Sequence, residues 1–190
     1  MKHKLLFEQN EIFFKKFSLF EEKIKKLAKV MRVSLNNYQI DHLAIRLNQK
    51  ETAQLCLVTL LKYGKVISDN MVNGRPIYII KLNEPLIIAN QKVDVIELPF
   101  PKGKTYPVEG LEHIEIVMPF VENETTQQWC ERIQTTFLWH KNPQLKVKVS
   151  EPKVDGEQLP NPSIAVSFVD STENHTCIKI HPYTLEKVIS

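Results

Sequence analysis

Two seven-residue segments of the chain share one pattern of polar and apolar positions. Residues 41–47 and 112–118 each begin with an acid and a histidine, and then place an apolar side chain at every second position. A period of two is typical of a β-strand with one buried face. The opposite faces carry His42 and His113, so the pattern indicates a duplicated fold that brings both imidazoles to one site.

A helical period precedes the first of these strands. Between about residues 5 and 31, apolar side chains recur at steps of four and three, at Phe13, Phe17, Phe20, Ile24, Leu27 and Met31. This spacing predicts one amphipathic helix, or two helices broken near residues 17 and 18. We interpret the aromatic stripe as a seam of the core; the alternative is a face on which an adaptor docks a partner.

The order of elements after the first histidine strand recurs after the second. The first series has a helix at residues 50–61, with Leu55, Val58 and Leu61 on one side, and then strands at 65–69, 76–82 and 92–98. Asn73-Gly74 predicts a hairpin turn inside it, because both residues tolerate positive φ. The second series has a helix at 123–138, strands at 145–149, 163–169 and 177–181, and a short helix from Thr184.

This repetition predicts an α+β fold built from two tandem βαβββ units. The units span about residues 38–101 and 110–183, and the linker between them is too short to separate independent domains. We therefore expect the sheets to pair, so that residues 38–190 form one body. The N-terminal helical region, residues 1–37, is expected to pack on the outside of this body.

Composition and the motifs that are absent argue against several classes of function. A net charge of +3 over 190 residues is too small to indicate a nucleic-acid partner. No apolar run approaches the roughly 18–20 residues that span a bilayer, so no membrane role is expected. The three cysteines are few and widely spaced, which favours a reducing compartment, and we expect a cytoplasmic protein. No glycine-rich phosphate loop or nucleophile elbow is present, which argues against phosphoryl transfer and acyl-enzyme chemistry.

The repeat resembles the vicinal oxygen chelate superfamily of glyoxalases, extradiol dioxygenases and epimerases. More narrowly, several segments together resemble the YecM family of small bacterial proteins: 41–46, 73–77, 96–99, 109–117, 159–162 and 178–182. The superfamily resemblance implies that each module curls its sheet around a cup, so that the chain forms a cup-shaped mixed sheet with the N-terminal helices outside it. It also implies metal ligands on the first and fourth strands of each module.

Carried over to this chain, the resemblance implies that His42, His113 and Glu97 hold a metal ion. Two imidazoles and one carboxylate leave open positions on a divalent ion such as Zn, Fe, Mn or Ni, and the sequence does not choose among them. A small substrate with two neighbouring oxygens could chelate there. The expected function is therefore a metal-dependent isomerase, lyase or dioxygenase; the alternative is a non-catalytic module that binds a metal or a small molecule.

Four further residues are candidates at this site. His181 is a fourth ligand or an acid/base group, and aligning Pro99 with Pro182 pairs it with Leu98 rather than with Glu97. Glu115 is a general base or a replacement ligand. Arg46 is a candidate for binding an anionic substrate, the alternative being a salt bridge with Glu115. Arg75 is a second anion-binding candidate, although an exposed turn arginine is the simpler interpretation.

Overall fold

The structure is a computed structural model that describes residues 11–151 and 159–189, with side chains described from residue 16 onward in the first range. Its nine strands are β1 (Ile40–Arg46), β2 (Gly64–Ser68), β3 (Met71–Val72), β4 (Arg75–Ile88), β5 (Gln91–Pro99), β6 (Gly110–Val117), β7 (Leu145–Ser150), β8 (Ser163–Phe168) and β9 (Cys177–His181). The helices are α1 (Glu11–Met31), α2 (Lys50–Leu60), α3 (Thr126–Phe137) and α4 (Leu185–Ile189). No helix in these ranges is long and apolar enough to cross a membrane.

The strands form one mixed sheet in the order β2-β4-β5-β1-β6-β9-β8-β7, with β3 paired to β4. In each half the first strand runs parallel to the last, β1 with β5 and β6 with β9, and the other neighbours are antiparallel. The halves join where β1 pairs antiparallel with β6. The predicted pair of βαβββ units is therefore confirmed, and the two histidine strands lie side by side at the centre.

The pairing register corrects the alignment of the two halves at their last strands. Ala44 lies beside Glu97 in the first half, and the repeat-equivalent Glu115 lies beside Lys179 in the second. The counterpart of Glu97 is therefore Lys179. The proline alignment is wrong by one residue, because the register brings Pro99, rather than Leu98, to the position of His181.

Helix α1 is one continuous helix, so the alternative of a break near residues 17 and 18 is wrong. Its apolar stripe is buried in the monomer at Phe17, Phe20, Ile24, Leu27 and Met31. The helix packs against β6 and β9 and shares one core cluster with the isoleucines on the face of those strands that points away from the histidines. This confirms the core seam for the described side chains; that of Phe13 lies outside them.

Helix α2 buries a different side from the one its predicted stripe suggested. Ala53, Leu57 and Leu60 face the core, whereas the side marked by Leu55, Val58 and Leu61 is exposed, with Leu55 68% accessible. In both sets, successive residues are three or four positions apart, as expected for one side of a helix. The period alone therefore could not choose between them.

Strand β4 is twice as long as predicted. It begins after a turn in which Asn73 and Gly74 have φ of 51° and 75°, as the Asn-Gly pair predicted. It then continues past residue 82 to Ile88 through an irregularity in its pairing with β5, between Lys81 and Leu86. Pro85 falls inside this irregularity, where the missing N–H of proline interrupts no regular pairing.

Candidate metal centre

Strands β1, β5, β6 and β9 place a row of buried polar side chains on the face opposite the apolar core. His42 lies across from Glu115 on the central β1–β6 pair, and His113 lies across from Ala44. Glu97 reaches the same face from β5. Both imidazoles are fully buried, and the two carboxylates are 9% accessible or less. The sheet thus brings His42, His113 and Glu97 together on one face.

Each histidine ring is fixed through its Nδ1 atom. The Nδ1–H of His42 donates to Asp41 Oδ2 at 2.8 Å, and that of His113 donates to Glu112 Oε2 at 2.8 Å. A carboxylate can only accept, so each Nδ1 carries the hydrogen, and the Nε2 of the neutral ring is left with its lone pair. The acids that precede the histidines in the repeated segments are therefore the partners that orient the rings.

His181 is held in the same way. Its Nδ1–H donates to Asn161 Oδ1 at 2.9 Å, and its Nε2 lies 2.9 Å from Glu115 Oε2 without making a hydrogen bond. Among the described residues, the buried side-chain N and O atoms that lack a hydrogen-bond partner are the Nε2 atoms of His42, His113 and His181. Buried polar atoms are normally paired, so three Nε2 atoms that face a carboxylate on one side of the sheet indicate a site for a cation, either protons or a metal ion.

The separations between candidate ligand atoms suit one ion. Glu115 Oε2 lies 3.5 Å from His42 Nε2, Glu115 Oε1 lies 3.3 Å from His113 Nε2, and Glu97 Oε2 lies 3.8 Å from His42 Nε2. One ligand atom from each of these four residues falls within 4.8 Å of all the others. Bonds of about 2.0–2.2 Å to a shared ion would separate neighbouring ligands by about 2.8–3.6 Å. The residues present therefore fit a divalent metal.

The pKa shifts reflect the dense charge of this site. Burial lowers the pKa of His42, but the carboxylates of Glu115, Asp41 and Glu97 outweigh burial and raise it to about 10. Burial raises the pKa of Glu97, and the neighbouring cations led by Arg46 overcome this and lower it to about 2. In the metal-free site, a proton on His42 therefore neutralises part of the negative charge that a bound ion would otherwise neutralise.

Arg46 is engaged by carboxylates of the protein itself. Its Nη1 donates to Glu97 Oε1 at 3.0 Å, and its Nε lies 2.9 Å from Glu112 Oε2. The alternative salt bridge between Arg46 and Glu115 is not formed; Lys179 pairs with Glu115 instead, at 3.2 Å. The reason is position, since Arg46 ends β1 beside the start of β6, near Glu112 and away from Glu115.

Arg75 is not brought into this cluster. It is half-buried at the start of β4 in the β3–β4 hairpin, whereas the residue of β4 that lies beside Glu97 is Ile79. Four residues of strand separate the two positions by about 13 Å. Within the part of the chain that the structure describes, no ion pair links the Arg75 guanidinium to a carboxylate of the site.

Four residues of the site were not assigned a role from the sequence. Asp41 and Glu112 were visible as the acids of the repeated segments, but their role in fixing the imidazoles required the ring orientation. Lys179 was a polar position on the last strand without an assigned partner. Asn161 falls in a segment that resembles the YecM family, 159–162, but its hydrogen bond to His181 joins residues 20 apart.

Comparison with known proteins gives close relatives over most of the chain. An uncharacterized protein of Haemophilus influenzae is 58% identical over 172 residues, which cover 90% of this chain and 89% of that protein. Protein YecM of Escherichia coli K12 is 34% identical over 171 residues, covering 90% and 87%. A solved structural-genomics protein, EC4020, superposes with a TM-score of 0.78 at 31% identity and covers 100% of this chain and 95% of its own.

A more distant solved structure is a methylmalonyl-CoA epimerase from Mycobacterium tuberculosis. It gives a TM-score of 0.41 at 8% identity over 75% of this chain and 85% of its own, a likeness too remote to bear on function. The model of the YecM protein family, by contrast, matches residues 9–190. The chain belongs to the YecM family.

Proposed function

We propose that this chain is a divalent-metal-dependent enzyme that acts on a small oxygenated substrate. His42, His113 and Glu97 would hold the ion. The observation that carries this proposal is the set of buried Nε2 atoms that have no partner while the Nδ1 atoms of the same rings are fixed by acceptors. Histidine ligands are characteristically oriented in this way by a hydrogen bond at the other ring nitrogen.

Charge balance supports the same proposal. The buried or half-buried charged side chains of the site are four carboxylates, of Asp41, Glu97, Glu112 and Glu115, and two cations, Arg46 and Lys179. With neutral imidazoles this leaves a net charge of −2, and uncompensated buried charge is strongly unfavourable. One divalent ion would neutralise the site. Protons on imidazoles do so in its absence.

The roles of the residues follow from their positions. When bound, the ion supplies Lewis-acid stabilisation of negative charge that develops on a substrate oxygen. His181 is suited to hold or move a proton, because its Nδ1 is anchored by Asn161 and its Nε2 is not hydrogen-bonded. Arg46 orients Glu97 and Glu112 through its ion pairs with both carboxylates. Isomerase, lyase and dioxygenase chemistry all use such a centre.

The test is metal content. Purified wild-type protein, the His42→Ala/His113→Ala variant and a His140→Ala control at an exposed residue are stripped with chelator, reloaded with Zn, Mn, Fe or Ni, and analysed for bound metal. We expect about one ion per chain in the wild type and the control, and loss in the double variant. Equal metal content in the double variant and the wild type would overturn the proposal.

A second measurement separates catalysis from simple metal binding. In the manganese-loaded protein, enhanced relaxation of water protons reports a coordination position that exchanges with solvent. An enzyme of the proposed type requires such an open position. A tightly bound Mn ion without exchangeable water would instead favour the non-catalytic binding module.

A further inference from the structure

The two halves of the sheet carry their carboxylates on different strands. In the first half, Ala44 lies beside Glu97. At the equivalent pair in the second half, Glu115 lies beside Lys179. The acid has therefore moved from the last strand of the unit to its first strand, and a lysine occupies the place that the acid left.

Glu115 is central among the unpartnered imidazoles. Its Oε2 lies 3.5 Å from His42 Nε2 and 2.9 Å from His181 Nε2, and its Oε1 lies 3.3 Å from His113 Nε2. The separations from His42 and His113 match those expected between neighbouring ligands of one ion, about 2.8–3.6 Å. The distance from Glu97 Oε2 to His42 Nε2 is slightly longer, at 3.8 Å. Glu115 is thus at least as well placed for ligation as the carboxylate of the first half.

Lys179 holds this carboxylate from the neighbouring strand. Its Nζ donates to Glu115 Oε1 at 3.2 Å, and its side chain is 22% accessible while that of Glu115 is 7% accessible. Its other close neighbours are the Nε2 atoms of the three histidines. The Lys179 ammonium is thus the permanently charged donor that fixes this buried carboxylate and leaves the Nε2 atoms of the histidines facing it.

We propose that Glu115 is a ligand of the ion and that Lys179 is the positioning residue that holds it, so that the second unit supplies its carboxylate from β6 instead of β9. This inference rests on the proposed metal-dependent function, and it assigns Glu115 to ligation instead of proton transfer. His181 is then the proton-transfer group of the site.

The sign of one effect distinguishes positioning from simple electrostatics. If Lys179 acted only through its positive charge, removing it would strengthen the binding of a cation nearby. If it holds Glu115 in place, removing it weakens binding, typically by about 10–100-fold for residues that orient a ligand. Lys179→Met is therefore expected to weaken metal binding, whereas Lys148→Met, at an exposed lysine of β7, is expected to leave it unchanged.

The decisive variant restores the symmetry of the two halves. Glu115→Ala removes the proposed ligand, and Glu115→Ala with Lys179→Glu places a carboxylate where the first unit has Glu97. We expect Glu115→Ala to weaken binding by about 100-fold or more, and the double variant to recover to within about tenfold of the wild type. Glu115→Gln, which keeps the shape and loses the charge, covers the case in which Glu115→Ala does not fold. Glu84→Ala, at an exposed position of β4, is the matched control.

Affinities are measured on chelator-stripped protein by competition with a chromophoric chelator, using Zn and Co, and the visible spectrum of the Co protein reports the ligand set. Wild-type protein that binds no metal would overturn the proposed function itself. Wild-type protein that binds metal, with Glu115→Ala or Glu115→Gln binding equally well and giving an unchanged Co spectrum, would overturn this inference alone. Tighter binding by Lys179→Met, or no recovery in the folded double variant, would overturn the positioning role.

Discussion

Removing the Arg46 guanidinium should strongly destabilise the metal-free protein. The variant Arg46→Met retains much of the side-chain volume but leaves Glu97 and Glu112 without their shared cation, 3.0 Å and 2.9 Å away in the wild type. The side chains of all three residues are less than a quarter exposed. A charge left unpaired in such a site cannot be compensated by water.

The magnitude follows from the two carboxylates. Burial alone raises the pKa of each, yet Arg46 and other cations lower that of Glu97 to about 2, and His113 with Arg46 lowers that of Glu112 to about 2. Against an unfolded value of about 4.3, each shift corresponds to roughly 3 kcal/mol, of which Arg46 supplies a part. Breaking a buried ion pair by deleting one partner costs about 3–5 kcal/mol, which is the loss that we expect.

The assay is urea unfolding in the presence of a chelator, with Arg75→Met as the control at a half-buried arginine outside the site. A lowered native pKa adds stability above the unfolded pKa of about 4.3 and loses it as the pH falls towards 2. The difference in unfolding free energy between the wild type and Arg46→Met should therefore have its largest value at pH 7 and should decrease between about pH 4.5 and pH 2.

Two results would refute the reasoning about Arg46. One is a destabilisation at pH 7 below about 1 kcal/mol, the value typical of an exposed ion pair. The other is a triple variant, with Glu97→Gln and Glu112→Gln added to Arg46→Met, that is no more stable than Arg46→Met alone. Neutralising the stranded carboxylates should recover part of the loss if buried charge is its cause.

Three further predictions concern the rest of the fold. Burial raises the pKa of the Cys177 thiol to about 12 and that of Cys56 to about 11, so both should react with a disulfide reagent at pH 8 far more slowly in the folded protein than in urea; equal rates would contradict this. Leu57→Ala should cost about 2–5 kcal/mol in urea unfolding and Leu55→Ala less than about 0.5, whereas the reverse order would mean that α2 packs by its other side. Gly64→Ala should cost about 1–3 kcal/mol, because its Cβ would meet a backbone carbonyl oxygen of β4 within van der Waals distance; unchanged stability would show that the strands can separate there.

The period of two was enough to predict the duplicated strands and their buried face, because one face of each strand is apolar and the other is polar. Leu43 and Ile45 alternate with His42 and Arg46, so only one register buries the apolar side, and a shift of one residue would reverse every side chain. Glu97, by contrast, became a candidate through the superfamily resemblance. For the two duplicated strands, the type of element and the buried face are local properties that the sequence contains directly.

The partners within the site could not be obtained in this way. Arg46 could face Glu115, Glu97 or Glu112, and only the neighbours of β1 on its two sides decide among them. The equivalence of Glu97 and Lys179 depends on the register in which β5 and β9 pair with their parallel partners. Aligning the prolines after each strand gives a register that is wrong by one residue. On α2, two apolar stripes have the same spacing, and the choice depends on what the helix packs against.

Helix α1 has a consequence for how the protein is made. Its apolar stripe precedes both units along the chain, yet it packs against β6 and β9, and β9 ends at His181. Roughly 150 residues must be synthesised after Met31 before that surface is complete, which takes about 8–30 s at about 5–20 residues per second. During this interval the first unit can form while the phenylalanines of α1 have no final partner. The nascent chain should therefore present a chaperone-binding helix that is withdrawn only when the last strand of the sheet has emerged.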